Sequence, residues 1–468
     1  MRKILYFFII GLCIAPASMP QSAPTFELED PVILAQDLLT ARASMAISSD
    51  EPEALFVTVD TMNSLEFTDP ITGEMAATAV LGFFYNTLTL EPIGEPFIVV
   101  GNPDGDFDTL DVDYNSFTKE YIVAASANNY RPNNVQINLL AIVQSDESNP
   151  LVKAWAYDPE SANSFDDVAV SASSNNGNIL MVSEFSFPGE GEGVIGALFD
   201  SEGNLLTPNQ GRLDVLQAVG DEDDPDVVFL PNNDVFLFLV NTDNDDGGPY
   251  FDRITGSVVL PVPDADGNMQ IGEQQILGAD RKDGMAQGHP AAIENPWTNE
   301  LVGVFDYNNG SDGGDVFYFT VGDEPAYQLT ESREQIPYLE ASGSNPVNHR
   351  HPQLAADPSS GVIVVAYNVN NAENALQMGG MLFTLLGPDG DVLPANELSL
   401  AEDQVIYSMT PDEIGTIDNN ANNHHTLYDP HSDSFISVFA TSEQYTKAVR
   451  LKITSDHSPA HVNDWNLF

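Results

Sequence analysis

Nineteen residues, His351 to Val369 (HPQLAADPSSGVIVVAYNV), constrain the whole chain, because their pattern returns six more times. A polar leading residue opens the unit and a short apolar run follows. Asp357-Pro358-Ser359-Ser360-Gly361 turns the chain, and a β-branched run from Val362 to Tyr367 closes it. Short apolar runs bounded by Pro, Gly, Asp and Ser mark a β-hairpin. Laid without gaps, the pattern also covers 43–61, 108–126, 167–185, 224–242, 289–307 and 423–441.

Further strand-like runs follow each hairpin. They are clearest where Gly turns join them, as in Ser201-Glu202-Gly203-Asn204, Asp264-Ala265-Asp266-Gly267-Asn268 and Pro388-Asp389-Gly390-Asp391. Asp-Gly and Gly-Asn pairs tolerate the positive φ of tight hairpins. Each unit is therefore four antiparallel strands, and the spacing of roughly 60 residues belongs to the regime of propeller repeats. The expected fold is all-β: a seven-bladed β-propeller over 43–454. On this architecture the chain resembles secreted bacterial seven-bladed propellers. It carries no Trp-Asp signature, no kelch glycine pair and no Ser-x-Asp-x-Gly-x-Thr-Trp box of the sialidase type, so a fold, not a function, is implied.

Residues 1–17 read as a secretory signal peptide: basic Met1-Arg2-Lys3, an apolar run from Ile4 to Ile14, and small residues at Ala15-Pro16-Ala17. The one cysteine, Cys13, falls within it, so no disulfide, haem or thiol chemistry is expected of the exported chain. Nor does any motif for a nucleotide or flavin occur. Fifteen basic residues stand against 71 acidic ones, a net charge of −56. Such a field repels nucleic acid and anionic membranes, and no further apolar run is long enough for membrane insertion. The expected location is secreted or periplasmic. Residues 18–42 hold the alternating stretch 24–34 (PTFELEDPVIL), which is expected to supply the missing outer strand of the last blade and close the ring. Residues 455–468 form a C-terminal tail.

In a propeller the first strand of each blade lines the central channel, so the leading residues form a ring at one mouth. They are Ala43, Asp108, Asp167, Asp224, His289, His351 and Asn423, with His424 beside the last. Every histidine lies at or after position 289. Imidazole nitrogens and Asp oxygens converging from separate strands are the donors of a divalent cation site: Zn²⁺ or Mn²⁺ where His dominates, Ca²⁺ where carboxylates do. The candidate ligands are His289, His351, His424, Asp108, Asp167 and Asp224. The alternative for each is a hydrogen bond to a neighbouring blade or to channel water. Second-strand ends, among them Asp60, Glu184 and Asp306, add acid to the same face. A calcium loop is conceivable at Asn241, Asp243, Asp245 and Asp252, although its glycine comes one residue late for the EF-hand pattern.

No nucleophile elbow, His-Glu-x-x-His or phosphate loop is present. Three readings follow. The first is a secreted binding propeller that recognises an extracellular glycan or protein on its loop face, with a divalent cation at the channel mouth. The second is a carbohydrate-active enzyme, a polysaccharide lyase or glycoside hydrolase, that works at the His/Asp mouth with Arg281, Arg350, Tyr307 and Tyr428 as ligand-binding groups. The third is a structural subunit of a surface layer or appendage.

Overall fold

A computed structural model describes residues 26–36, 43–60, 67–131, 135–145, 150–157, 165–187, 191–207, 221–243, 253–277, 286–308, 314–320, 327–328, 347–371, 377–388, 399–401, 404–409, 417–418, 425–441 and 445–453. All seven hairpins form where the repeat places them. Their first strands are Ala43–Ile47, Phe107–Asn115, Phe165–Ala172, Asp221–Leu230, Ala286–Glu294, Val347–Ala356 and His425–Asp429. These seven pack side by side in ring order, the last against the first, so they line the channel of a closed seven-bladed propeller.

Each hairpin pairs outward into an antiparallel sheet. Blades one, two, four and five have four strands, and blade three has three among the described residues. Blade six adds short strands at Ser399–Ala401, Gln404–Met409 and Ile417–Asp418 beyond its third. In blade seven the outermost chain strand, Tyr445–Ile453, pairs with two N-terminal strands. Phe26 sits opposite Ile453 and Leu28 opposite Leu451, and Val32–Gln36 run against Ala448 to Tyr445. The ends of the chain thus close the ring, as the alternation in 24–34 predicts.

The turns explain why such different sequences make one hairpin. In blades two, three, five and six the fifth turn residue donates its N–H to the carbonyl of the first: Lys119 to Asn115, Gly177 to Ser173, Asn299 to Asn295 and Gly361 to Asp357. That fifth residue has φ between 58° and 79°, which glycine adopts freely and Asn at modest cost. The first residue is Asn, Ser or Asp because its side chain accepts an N–H two residues on, as Asn115, Ser173, Asn295 and Asp357 do.

Apolar side chains fill the gaps between blades. Between blades five and six lie Val302, Val304, Val316, Val365, Tyr367 and Leu382, all fully or nearly fully buried. Burial of this kind, at about 25 cal/mol per Å² of apolar surface, holds neighbouring blades together where no strand pairing does.

Candidate metal centre at the channel mouth

A first strand pairs on one edge only. The N–H groups on its other edge face the preceding blade and need acceptors. Side chains supply them. Thr109 Oγ1, Asp111 Oδ2 and Asp113 Oδ2 of blade two accept the alternate N–H groups of Val168, Val170 and Ala172 of blade three, at 3.0, 2.9 and 2.8 Å. Ser171 Oγ then accepts Phe229 N of blade four at 3.1 Å. Asp224 Oδ2 accepts His289 N at 3.2 Å, and Asp306 Oδ2 accepts His351 N at 2.9 Å. Channel carboxylates therefore cap blade seams before they do anything else.

The leading residues of blades two to six share a local distortion. In each, three steps along the first strand match two along its partner: Gly288 faces Asp306, for example, and Ala291 faces Val304. One extra residue makes a β-bulge, which turns a side chain out of the sheet's alternation. In blades four, five and six the bulged residue precedes a proline (Pro225, Pro290, Pro352) and is left-handed, with φ of 50° at Asp224, 48° at His289 and 52° at His351. Non-glycine residues rarely hold this conformation, and positions before proline disfavour helical backbone. Strain of this kind gathers at functional sites.

The bulges bring two imidazoles close to one carboxylate. His289 Nδ1 lies 2.9 Å from Asp306 Oδ2, and its Nε2 lies 3.6 Å from Asp224 Oδ2. The His289 and His351 rings meet edge to face at 4.0 Å. One donor atom each from His289, Asp306 and His351 lie within 4.8 Å of one another. Gly288 leaves space beside them: a Cβ there would stand 3.4 Å from both Asp224 Oδ2 and Asp306 Oδ1. Arg350 Nε is 3.8 Å from Asp306 Oδ2. Burial opposes a charge on His289, but the negative Asp224 and then Asp306 outweigh it and lift the imidazole to about 9. Burial would raise Asp306, and the positive His289 and Arg350 outweigh it to hold the carboxyl below its usual range. A cation bound here takes the place of that proton. Two imidazoles and one carboxylate with open positions is a donor set for Zn²⁺ or another first-row divalent ion, not for Ca²⁺.

Beside this cluster the channel holds a cavity of about 100 Å³, lined in part by Asp111, Asp167, Asp224, Asp226 and His425. Burial raises Asp226 to about 7, helped by the negative charge of Asp111, and burial raises Asp111 to about 6. Burial also lowers His425 to about 4, so its 3.6 Å contact with Asp111 is between a neutral ring and a carboxyl group.

Of the predicted ligands, the structure brings together His289 and His351, with Asp224 against His289. Asp167 lines the cavity across from them, whereas Asp108 is only partly buried and does not line it. His424, Arg281, Asp245 and Asp252 lie outside the described residues. Asn241 and Asp243 stand in strand Val235–Asp243, paired with Asp223 and Asp221, not in a loop. Arg350 is at the site. Tyr307 is buried in blade five against Phe317, and Tyr428 donates to Asp433 at a hairpin turn. Residues that sequence reasoning missed include Asp111 and Asp226, whose signal is the alternation of acids along a channel strand, and the His-Pro and Asp-Pro pairs that mark the bulges.

No protein-family profile and no curated protein matches the chain. Among solved structures it is similar to the α-L-arabinofuranosidase Arb93A of Fusarium graminearum, at 12% identity over 75% of this chain and 94% of that one, with a TM-score of 0.44. It is also similar to the Dos1 propeller, at 7% identity over 91% and 94% of the two chains and a TM-score of 0.44. A third is the Trypanosoma rangeli sialidase, at 9% identity over 92% of this chain and a TM-score of 0.40. The chain spans 57% of that sialidase. That the chain is a seven-bladed β-propeller rests on its own strand order and on the ring of first strands.

Proposed function

We propose that this chain is an exported binding propeller that holds a first-row divalent cation between blades five and six and presents it to an extracellular ligand at the channel mouth. The observation that carries the reading is the convergence of donor atoms from His289, Asp306 and His351, on three strands of two blades, within 4.8 Å. Export is inferred from the basic and apolar leader. The cavity beside the cluster, about 100 Å³, is well below the ~300–1,000 Å³ of sites that enclose small organic molecules. It suits a hydrated ion and a single reaching group, with the rest of the ligand across the mouth. Elemental analysis of purified, dialysed protein tests the reading. About one zinc or manganese per chain is expected, and none in the His289→Ala/His351→Ala variant; equal metal in both proteins would defeat it.

A hydrolytic reading has one observation in its favour. Asp226, held at about 7, is half protonated near neutrality beside a second carboxyl, Asp111, as a general acid requires. Release of sugars from a polysaccharide panel by the wild type, abolished in Asp226→Asn with metal content intact, would support it. No release would leave the binding reading alone.

A further inference from the structure

Asn368 is the residue in blade six that corresponds to Asp306 in blade five. Its register partner is Arg350, the residue before His351, just as the partner of Asp306 is Gly288, the residue before His289. The two bulges are alike, with φ of 48° and 52° at the histidines. In blade five this geometry puts the carboxylate 2.9 Å from its own histidine. In blade six the His351 ring leans instead onto His289, at 4.0 Å. The Asn368 side chain is fully buried, and neither its Oδ1 nor its Nδ2 has a hydrogen-bond partner.

Two orphaned amide atoms in the same residue are costly, and among the described residues Asn368 alone has two buried side-chain atoms without a hydrogen-bond partner. A local rule broken in this way points to a function met at that position. We propose that Asn368 Oδ1 is a fourth donor to the cation held by His289, Asp306 and His351. The set then has two imidazole nitrogens, one carboxylate and one neutral amide oxygen. The ion keeps a net positive charge with which to attract an anionic or polar group from the ligand, and Nδ2 of the same amide is left to donate to that group. Asn241 holds the corresponding place in blade four, opposite Asp223, and its Oδ1 is also buried without a partner. Asp224, not a histidine, leads that blade.

This inference rests on the proposed cation site, and the test separates the two. Full-length wild type, Asn368→Leu, Asn368→Asp and His289→Ala/His351→Ala proteins are stripped with chelator. They are then titrated with Zn²⁺ by equilibrium dialysis, and their metal-free melting temperatures are measured. Asn368→Leu should bind Zn²⁺ at least about tenfold more weakly, the size of effect seen when a metal site loses a supporting group. The same protein without metal should melt slightly higher, because two orphaned polar atoms are gone. Asn368→Asp should retain binding. If wild type binds Zn²⁺ and the double histidine variant does not, yet Asn368→Leu binds as wild type does, Asn368 is no ligand. A lower metal-free melting temperature in Asn368→Leu would also overturn the inference, because it would show the amide to be satisfied within the fold. Wild type that takes up no Zn²⁺ would defeat the cation site itself.

Discussion

The seam between blades two and three and the seam between blades five and six use one device to different ends. In the first, Thr109, Asp111 and Asp113 accept three alternate N–H groups of the next strand. There the side chains replace a missing strand. In the second, Asp306 accepts a single N–H, that of His351, and has an imidazole at 2.9 Å and a guanidinium at 3.8 Å as well. Acid in the channel is thus no sign of a site by itself. What distinguishes the second seam is the left-handed bulge ahead of proline, which turns His289 onto a carboxylate that is already engaged and sets the His351 ring against His289.

The largest difference between the seams should appear when each loses its carboxylate. Asp306→Ala removes the cap on His351 and leaves a buried imidazolium short of one partner, at a cost of about 3–5 kcal/mol. Asp111→Ala leaves the N–H groups of Val170 and Val112 and the Ser44 hydroxyl without that acceptor but strands no charge, at about 1–3 kcal/mol. Urea midpoints should fall in that order, and an equal or reversed order would mean that the histidines add nothing to the second seam.

A smaller effect concerns metal. Added Zn²⁺ should raise the melting temperature of the wild type, by about 2.7 kcal/mol of stability at a hundredfold excess over Kd. The His289→Ala/His351→Ala variant should show no rise, and Asp113→Asn, altered in the other seam, should respond as the wild type does. A zinc response lost in Asp113→Asn would place the ion elsewhere.

The smallest effect is one of pH. Burial raises the Asp113 carboxyl to about 6, with the charge of Asp111 adding to the rise, above its unfolded value near 3.9. The folded chain therefore holds that proton more tightly. The stability it confers is complete below about pH 4 and is lost as pH rises through 6. Asp113→Asn should melt higher than wild type at pH 8 and no differently at pH 4. Equal curves at both values would show the carboxyl to be better solvated than its surroundings imply.

Much of the fold was legible because a propeller repeats. Seven hairpin patterns with Asp, Asn, Ser or Gly in their turns leave few alternatives, and the alternation in 24–34 leaves the closing strands little choice of partner. The site was legible only in part, since it depends on register between strands. Whether a residue faces the channel reverses with every step along a strand and again at every bulge. Asp306 faces His289, so Tyr307, one step on, must face the other way and packs on Phe317. That is why a tyrosine close to the histidines in sequence is absent from their site. The bulges themselves follow from how the first strand slips against the second, which spacing within the first strand does not reveal. The prolines after Asp224, His289 and His351 were their only trace.

The most direct measurement is a crystal structure of zinc-soaked protein with anomalous data collected at the zinc edge. One strong peak is expected at about 2.0–2.2 Å from nitrogens of His289 and His351 and from an oxygen of Asp306, with the His289 to Asp306 hydrogen bond replaced by the ion. A peak instead among Asp111, Asp113 and Asp226, or no peak with that hydrogen bond intact at 2.9 Å, would contradict this placement.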